Sequence, residues 1–435
     1  MSADSPHANR DTLSSLQQRR LGDQFAAVVG ANAFWTKRFA REGFTAERFA
    51  HEPLRTRSQL AELPLTRKAD LVADAAAYPP YGSNLTVPLD QYVRLHQTSG
   101  TTGQPQVWLD TAASWDWFCR CWRTIYERAG VRAGQVVALP FSFGPFIGFW
   151  AAHDGAVAAG LRTLTLGGLS SEQRLREIAR HRPQVVCCTP TYGLRLAEVA
   201  SANAIDLPSL AVETLLVAGE PGGQIAGVRL ALEAAWGARV IDHWGMSDVG
   251  SLGVEPHDDP GFLVLLEDEC IAEILDPQGR EVEVGGRGEL VITNLGRHGM
   301  PVFRYATGDL VERAEPDSAT GWTRLRGGIL GRADDMLVIR GNNVFPSSVE
   351  AIVRESPEVV EFRLHVSTRR AMPHLRIELE PRPNLSPEVI AAVQSRIETA
   401  CLDRLHFRAE VVVVASGSLP RFDLKARRLI REESP

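Results

Sequence analysis

Four short apolar runs decide the fold, and along the chain they read Val136-Val-Ala-Leu139, Val185-Val-Cys-Cys188, Leu215-Leu-Val-Ala218 and Arg239-Val-Ile241. Each run has the length of a buried strand, and helix-length segments separate them. One of the intervening helices is predicted to begin at a capping box, Ser170-x-x-Gln173, in which a hydroxyl and an amide satisfy two backbone N–H groups. This alternation predicts a parallel sheet with helices on its faces, the arrangement of an α/β fold.

The pattern of polar and apolar residues differs on both sides of this region. Residues 11–80 are polar and read as helical, and the run Tyr78-Pro-Pro-Tyr-Gly82 predicts a break at their end,. Beyond residue 270, the runs 271–275 and 289–293 alternate apolar and polar residues, with turn residues between them. Such period-2 runs predict a small antiparallel β subdomain or barrel.

The last hundred residues predict a separate α+β module. Ser347-x-x-Glu350 and Ser386-Pro387 indicate the starts of two helices, and three strands are predicted at 362–366, 375–379 and 411–414,.

The 435 residues allow about three domains' worth of core at roughly 150 residues per domain,. We place a boundary within the segment Gly331 to Asp335. The predicted organisation is a large α/β N-terminal domain over residues 1–333, which includes the β subdomain, and a small mobile α+β C-terminal domain over residues 334–435.

Composition excludes several functional classes. With 44% hydrophobic and 23% charged residues the chain has ordinary globular composition,. The formal charge is -6 and no long Lys/Arg run is present, so nucleic acid is not an expected partner. No apolar run approaches the roughly 18 residues of a membrane span, and the N-terminus does not resemble an export signal. The six cysteines show no Cys-x-x-Cys pattern, so we expect a cytoplasmic protein without disulfides or membrane contact.

The sharpest local feature is the loop Thr98-Ser-Gly-Thr-Thr-Gly-Gln-Pro105, which follows the predicted strand Tyr92-Val-Arg-Leu95. Glycines let backbone N–H groups face a concavity, and hydroxyls add further donors. The loop can therefore surround phosphate oxygens, although it lacks the Gly-Lys-Ser/Thr of a P-loop.

Four further motifs follow in order: Ala218-Gly-Glu-Pro221, His243-Trp-Gly-Met-Ser-Asp248, Arg304-Tyr-Ala-Thr-Gly-Asp309 and Gly331-Arg-Ala-Asp-Asp-Met336. Together with the loop they resemble the adenylate-forming superfamily of acyl-coenzyme A synthetases and carrier-protein adenylation domains. The stretches Leu95 to Gly103, Gly331 to Met336 and Gly341-x-Asn-Val-Phe-Pro346 look closest to phenylacetate-coenzyme A ligases.

The resemblance implies attack of a carboxylate on the α-phosphate of ATP, with loss of pyrophosphate, and then attack of a thiol on the acyl-adenylate. It implies a nucleotide site formed by Ser99, Gly100, Thr101, Thr102, Gly103, Gly219, Glu220, Pro221, His243, Trp244, Gly245, Met246, Ser247, Asp309 and Arg332. In it, Asp309 accepts hydrogen bonds from the ribose hydroxyls. Gln104 stands where the family usually has Lys, which predicts a weaker grip on the phosphates.

Two catalytic residues are implied by the same resemblance. Lys425 matches the lysine that the C-terminal module brings to the site during adenylation, where an ammonium lowers the repulsion between two anions,. Asp248 stands where the family more often has a Mg²⁺-associated Glu, and its shorter side chain predicts contact with Mg²⁺ through water. Neighbouring Arg421, Arg427 and Arg428 are expected to be surface charges or contacts to coenzyme A phosphates, and the sequence leaves these alternatives open.

The acyl pocket is expected to include Phe141, Phe143, Phe146, Ile147, Ala218, Trp244 and Gly245. The density of rings between residues 141 and 150 suits an aryl acid. Pro145 and Trp150 differ from the phenylacetate pattern, which favours a substituted or bicyclic acid. The resemblance further implies a hinge at Asp334 and a thiol tunnel at Gly341. Since only His257 and Cys270 remain of a Cys/His set found in some relatives, no zinc is expected.

The predicted protein is thus an ATP- and Mg²⁺-dependent aryl-coenzyme A ligase. An alternative is an adenylation enzyme that loads a carrier-protein phosphopantetheine or another nucleophile, and a third possibility is a catalytically idle binding protein on the same fold. Relatives are often homodimers, which makes a homodimer possible, and the sequence leaves the oligomeric state open.

Overall fold

The structure is a computed structural model that describes residues 10–44, 48, 54–98, 105–333, 335–339, 342–369, 372–422 and 425–431. The chain divides into two compact units, Met1–Gly168 with Ile241–Gly328 and Leu169–Val240 with Ile329–Pro435. The predicted boundary between residues 333 and 334 stays a prediction.

The elements alternate as the sequence predicts in the central region. The helices are α1 Arg10–Val28, α2 Ala33–Arg41, α3 Arg57–Ala61, α4 Lys68–Ala77, α5 Ala112–Arg128, α6 Ile147–Ala158, α7 Ser171–His181, α8 Pro190–Ala202, α9 Ala226–Trp236, α10 Pro346–Arg354 and α11 Pro387–Leu405. The strands are β1 Tyr92–Gln97, β2 Val107–Thr111, β3 Val136–Leu139, β4 Arg162–Thr165, β5 Val185–Cys188, β6 Thr214–Ala218, β7 Arg239–Met246, β8 Gly250–Val254, β9 Phe262–Leu265, β10 Cys270–Leu275, β11 Arg287–Asn294, β12 Tyr305–Ala314, β13 Arg324–Arg326, β14 Gly331–Arg332, β15 Leu337–Ile339, β16 Asn342–Val344, β17 Val359–Arg369, β18 Met372–Pro381, β19 Glu410–Val413 and β20 Leu429–Arg431.

In the first unit, the N-terminal helices close an aromatic core. The side chains of Trp35 and Phe39 on α2 pack around Phe303, with ring centroids 4.9 and 5.5 Å from it. Asn32 caps α2 by accepting the Trp35 N–H, which satisfies a donor that the helix itself leaves unpaired. The helical segment ends at Ala77, one residue before the predicted break.

The first unit also contains the parallel pair β3 and β4 and a run of antiparallel strands. Strands β7, β8, β9, β13, β12, β11 and β10 pair in that order. The predicted β subdomain is therefore present, and its strands follow β7 as successive hydrogen-bonded neighbours. This run positions the turns after β7 and before β12.

The second unit holds the parallel pair β5 and β6 and the helices α7 to α9. The predicted capping box is confirmed, because Ser170 accepts the Gln173 N–H and the Gln173 side chain accepts the N–H of Ser170. The C-terminal residues form a four-stranded sheet in the order β19-β18-β17-β20. Apolar side chains of this sheet, of α10 and of α11 bury one core, which includes Val353, Phe362 and Ile397.

One predicted helix start is wrong. Helix α10 begins at Pro346, with Phe345 rather than Ser347 as its N-cap. Pro346 fits the first helical position because its ring fixes φ and it has no N–H to satisfy. The Ser347 hydroxyl instead donates to the carbonyl oxygen of Leu330 at 2.7 Å.

The overall class is the predicted α/β fold with a small α+β C-terminal portion. None of the helices in the described part of the chain combines the length and apolarity needed to cross a bilayer.

Candidate active site

In the first unit, β7 and β12 bring together two residues predicted for the nucleotide site. The indole N–H of Trp244 donates to Oδ2 of Asp309 over 2.9 Å, and both side chains are buried. This bond fixes the orientation of the carboxylate predicted to accept the ribose hydroxyls. A carboxylate has several acceptor positions, so the Trp244 bond leaves it capacity for further donors.

His243 lies beside Trp244 on β7 and is neutral at physiological pH. Burial lowers the pKa of His243 to about 4, although its contact with the Gly253 carbonyl acts in the opposite direction. Since a carbonyl oxygen only accepts, Nδ1–H donates to Gly253 over 2.6 Å. The ring also packs against Trp122, with ring centroids 4.6 Å apart. This histidine thus fixes strand β7 against its neighbours.

Gly245 is required by the packing of the next strand. A Cβ at this position would stand 2.9 Å from the Gly250 oxygen and from the Ser251 Cα. The pairing of β7 with β8 is also irregular between Trp244 and Gly245. Because Gly245 has no side chain, the strand can form a bulge here, and the backbone of the predicted nucleotide motif turns toward Ser247 and Asp248.

Asp248 follows β7 as a buried carboxylate. Its Oδ1 accepts the Tyr305 hydroxyl over 3.1 Å. Burial raises the pKa of Asp248, while Lys68, Tyr305 and Arg297 oppose that shift. The carboxylate is thus held by neighbours from β12 and from the turn before it.

Arg297 fixes the backbone of the same turn. Its guanidinium forms a two-point ion pair with Asp110, at 2.7 and 2.8 Å, and both side chains are fully buried. The remaining nitrogen, Nη1, donates to the Ser247 carbonyl at 2.6 Å and to the Asp248 carbonyl at 3.4 Å. A planar guanidinium with a rigid fork of donors is suited to such bracing.

The Asp248 carboxylate fits Mg²⁺ in donor type, since this hard cation prefers oxygen ligands. In the described part of the chain no group of three or more His, Cys, Asp or Glu side chains could hold a metal ion. Mg²⁺ typically keeps several waters and uses one or two carboxylates with substrate phosphates. Among the described residues, Asp248 thus offers a carboxylate without a surrounding cage of metal ligands, and the expected absence of zinc stays a prediction.

The ring-rich segment between β3 and α6 forms an aromatic cluster. Phe141 stacks on Phe149 with ring centroids 4.3 Å apart, and Phe143 lies 4.7 Å from Trp150. Phe146 is the N-cap residue of α6 and is half-buried, while Ile147 is buried. The predicted phenylalanines therefore share one cluster within the first unit, and Phe149 and Trp150 join it.

In the second unit, strand β6 ends at the half-buried Ala218, and the chain then turns at Gly219 with φ +94°. Glycine is suited to this left-handed conformation. A Cβ on Gly219 would stand 3.2 Å from Cε of Lys425. The structure therefore brings the predicted catalytic lysine to the turn of the Gly219-Glu-Pro221 motif.

Glu220 holds two backbone segments with one carboxylate. Its Oε1 accepts the N–H of Thr191 in the first turn of α8 at 2.8 Å. Its Oε2 accepts the N–H of Ala426 at 2.7 Å. Each of its carboxylate oxygens thus accepts a backbone N–H, and the predicted place of Glu220 beside the nucleotide stays a prediction.

Arg428 belongs to a cluster of charges rather than to an open surface. Its side chain is 9% exposed and donates to both carboxylate oxygens of Glu361 at 2.7 and 3.1 Å, and to Glu350 at 3.2 Å. Burial alone lowers the pKa of Arg428, but these two carboxylates outweigh it and the pKa is raised. Arg421 similarly pairs with Glu380.

The remaining predicted residues are placed as follows. Pro221 is exposed, Met246 and Ser247 are half-buried beside Asp248, and Arg332 is half-buried on β14. Several predictions lie outside the described residues, namely those for Ser99, Gly100, Thr101, Thr102, Gly103, Gln104, Asp334 and Gly341.

Comparison with known proteins identifies the class. The family described as AMP-binding enzyme matches residues 41–299, and the AMP-binding enzyme C-terminal domain matches residues 341–432. The chain belongs to the AMP-binding enzyme family, as the motifs predicted.

Within this class, the chain is similar to individual coenzyme A ligases. The phenylacetate-coenzyme A ligase of Aromatoleum evansii is 31% identical over 97% of this chain and 95% of its own length. A solved structure of 2-hydroxyisobutyryl-CoA ligase in the postadenylation state, in complex with R3-HIB-AMP, is 25% identical, with a TM-score of 0.91 over 100% of this chain and 94% of that one. The same ligase with 2-HIB-AMP and CoA in the thioesterification state has a TM-score of 0.71 and 28% identity over 98% and 91% of the two chains.

Several residues that shape these turns were not found by sequence reasoning. Tyr305 lies inside a quoted motif, and its distance from Asp248 along the chain hid their contact. Asp110 and Arg297 are 187 residues apart with no local motif to mark the pair. Thr191 had a local signal, since it follows Thr189 and Pro190, which open α8.

Proposed function

We propose that the protein converts an aromatic carboxylic acid into its coenzyme A thioester in two steps. The carboxylate first attacks the α-phosphate of ATP, which forms an acyl-adenylate and releases pyrophosphate. The thiol of coenzyme A then attacks the acyl carbon and releases AMP. The observation that carries this proposal is the full-length similarity to a phenylacetate-coenzyme A ligase.

The placement of Lys425 supports a role in the first step. Its side chain reaches Gly219, within a motif predicted to contact the nucleotide. Carboxylate and α-phosphate are both anionic, so a nearby ammonium lowers the energy of their approach. In the second step the nucleophile is a thiol, and this need for a cation between two anions is absent.

Asp309 and Asp248 are assigned to binding. We assign Asp309 to the ribose hydroxyls, with Trp244 fixing one of its oxygens. We assign Asp248 to Mg²⁺, which supplies charge neutralisation of the phosphates when it is bound. Tyr305 and the Arg297–Asp110 pair hold that carboxylate and its backbone in place.

The aromatic preference rests on the cluster at the start of α6. Phe143 and Phe146 are half-buried and so keep ring surface available, while Phe141 and Phe149 stack behind them. Offset and edge contacts with such rings favour an aryl acid over an aliphatic acid of equal size. We assign Trp244 and Gly245 of the same unit to this acyl pocket as well, and the predicted role of Ala218 stays a prediction.

Pyrophosphate exchange tests the first step and the acid class together. The panel contains benzoic, phenylacetic, anthranilic and heteroaryl acids, with 2-hydroxyisobutyrate as the aliphatic comparison. We expect exchange with at least one aryl acid and faster exchange than with the aliphatic acid. Exchange with the aliphatic acid alone would contradict the aromatic assignment, and no exchange by the folded protein with any acid would contradict adenylation.

The acceptor is tested separately with the best acid of that panel. We expect coenzyme A to give a thioester and AMP, and free pantetheine to react more slowly because it lacks the nucleotide portion. A carrier protein bearing phosphopantetheine serves as the competing acceptor. Faster transfer to that carrier than to coenzyme A would replace the ligase assignment by carrier loading.

A further inference from the structure

The segment that carries Lys425 contacts other parts of the second unit at several points. Lys425 lies against Gly219, and the next residue, Ala426, donates its N–H to Glu220. Two residues further on, Arg428 is anchored by Glu350 on α10 and Glu361 on β17. In the chain, the lysine is therefore followed first by a bond to the turn after β6 and then by ion pairs to the C-terminal module.

Thr191 connects these two sets of bonds, because it contacts both Glu220 and Arg428. Its N–H donates to Oε1 of Glu220 at 2.8 Å, and its hydroxyl oxygen accepts from both Nη atoms of Arg428 at 3.3 Å. The hydrogen bonds Ala426–Glu220, Glu220–Thr191 and Thr191–Arg428 thus form a circuit that the backbone from Ala426 to Arg428 closes. The circuit links residues 190–220 with residues 426–428, and Lys425 is next to it in the chain.

We propose that Glu220 is a positioning residue that holds Lys425 in place for adenylation. The inference rests on the proposed function, because it gives Glu220 a task within that reaction. A carboxylate that accepts a backbone N–H forms a charge-assisted bond, which is stronger than a neutral one. The bond is also local to the two segments, so its loss moves the lysine without unfolding the core.

The bond geometry gives Glu220 a task that does not depend on contact with the nucleotide. Each oxygen of Glu220 accepts a backbone N–H, one from Thr191 and one from Ala426. Glutamine at position 220 keeps one acceptor oxygen, so it can retain only one of the two bonds, while alanine removes both. The two substitutions should therefore produce graded effects.

The test compares Glu220→Gln, Glu220→Ala and the control Glu198→Gln. Glu198 lies on the same helix as Thr191 and pairs with Arg195 and Arg421, but it has no contact with the circuit among the bonds described above. Adenylation is measured by pyrophosphate release without thiol, and thioester formation is measured from supplied acyl-adenylate and coenzyme A.

We expect Glu220→Ala to slow adenylation by about 10- to 100-fold, the effect of losing a hydrogen bond to a charged group. Glu220→Gln should fall between this variant and the wild type. The KM for ATP and the rate of the second step should stay within about twofold. A raised KM for ATP with unchanged kcat would assign Glu220 to nucleotide binding, and equal loss in both steps would assign it to general folding, so either result overturns the proposal.

A double-mutant cycle and amide exchange complete the test. In the Lys425→Ala background, Glu220→Ala should have no further effect on adenylation, because both act through the same ammonium. Amide hydrogen exchange should accelerate in a peptide spanning 425–431 of Glu220→Ala and remain unchanged in Glu198→Gln. Amide exchange can be measured without enzyme activity. If the wild type proves inactive, the proposed function fails. If the exchange of that peptide is unchanged in Glu220→Ala, Glu220 does not hold this segment and the further inference fails.

Discussion

The backbone around Lys425 is fixed by bonds of the residues that follow it. The side chain is exposed, yet Ala426 and Arg428 are bonded to Glu220 and Glu361. An exposed side chain can still be placed accurately by a fixed backbone. This combination suits a residue that must approach two anions.

Lys425→Ala should abolish most adenylation and leave thioester formation from supplied acyl-adenylate much less affected. We expect a loss of order 10² or more in the first rate, the scale of removing one charge-stabilising group. Stopped assays of the two half-reactions measure both rates. Arg427→Ala removes an exposed charge two residues away and should leave adenylation near the wild-type rate. Equal losses in both half-reactions of Lys425→Ala would instead indicate a structural role.

His243 makes a pH-dependent contribution to stability. An unfolded histidine has a pKa near 6.5, while burial lowers the pKa of His243 to about 4 in the folded protein. Between these values the unfolded chain binds one more proton, so stability falls as the pH is lowered from about 6.5 to 4. The 2.5-unit difference corresponds to about 3 kcal/mol at the acid end.

His243→Asn should remove this part of the acid sensitivity. The asparagine amide can still donate to Gly253 but does not titrate. Urea unfolding at pH 7 and pH 4.5, followed by tryptophan fluorescence, measures the difference. We expect the drop in unfolding free energy between these pH values to shrink by about 2 kcal/mol or more relative to the wild type. An equal drop in both proteins would show that folding does not lower the pKa of His243.

At the scale of elements, α5 and α6 pack at a glycine. A Cβ on Gly155 of α6 would stand 2.2 Å from Cβ of Trp122 on α5. That atom is bonded directly to the backbone, so rotation of the tryptophan ring cannot relieve the overlap. The helices can approach this closely only because position 155 lacks a side chain.

Gly155→Ala should therefore lower the free energy of unfolding by about 2 kcal/mol, a typical effect of overpacking. Alanine is otherwise the better helix former by about 1 kcal/mol, so sterics and propensity act in opposite directions. Gly148→Ala on the same helix is the matched control, since nothing lies within 4 Å of its added Cβ. Urea unfolding should show stabilisation of Gly148→Ala and destabilisation of Gly155→Ala. A stabilised Gly155→Ala would mean that the two helices separate readily.

The same scale shows what the sequence could predict. Local signals sufficed for the capping box at Ser170, for the start of α11 at Pro387 and for the buried strands. The start of α10 was misread because the serine at 347 resembles a cap, while Pro346 and a tertiary bond to Leu330 decide its position. Capping rules describe the helix alone and cannot include such a partner.

The candidate site was predictable to the extent that its residues stand in short motifs. Asp309, Trp244 and Lys425 were all found in this way. Their supports were not, since Arg297 reaches Asp110 across 187 residues, and Arg428 reaches Glu361 across 67. Pairing between distant charges depends on how the chain folds, and it produces no periodic pattern in the sequence.

At the scale of the whole molecule, the two half-reactions make incompatible demands. In the proposed reaction, adenylation needs Lys425 beside the nucleotide, whereas thioester formation needs space for the coenzyme A arm at the same carbonyl. The similar 2-hydroxyisobutyryl-CoA ligase has been solved in a postadenylation state and in a thioesterification state. We expect an equivalent alternation here, with the C-terminal module turning at Asp334 and Gly341 lining the thiol path.

Asp334→Pro tests this alternation because proline fixes φ near roughly -65° and removes the freedom that a hinge needs. If the trapped arrangement is the adenylating one, adenylation should survive within about tenfold while thioester formation falls by much more. Asp334→Ala is the matched control, since it removes the carboxylate but leaves the backbone free, and both of its rates should stay near the wild type. The measurement is pyrophosphate release without thiol beside thioester formation from supplied acyl-adenylate. A proline variant with both rates near the wild type would place the hinge at another residue, and an alanine variant as impaired as the proline variant would assign the effect to the lost carboxylate instead of to restricted rotation.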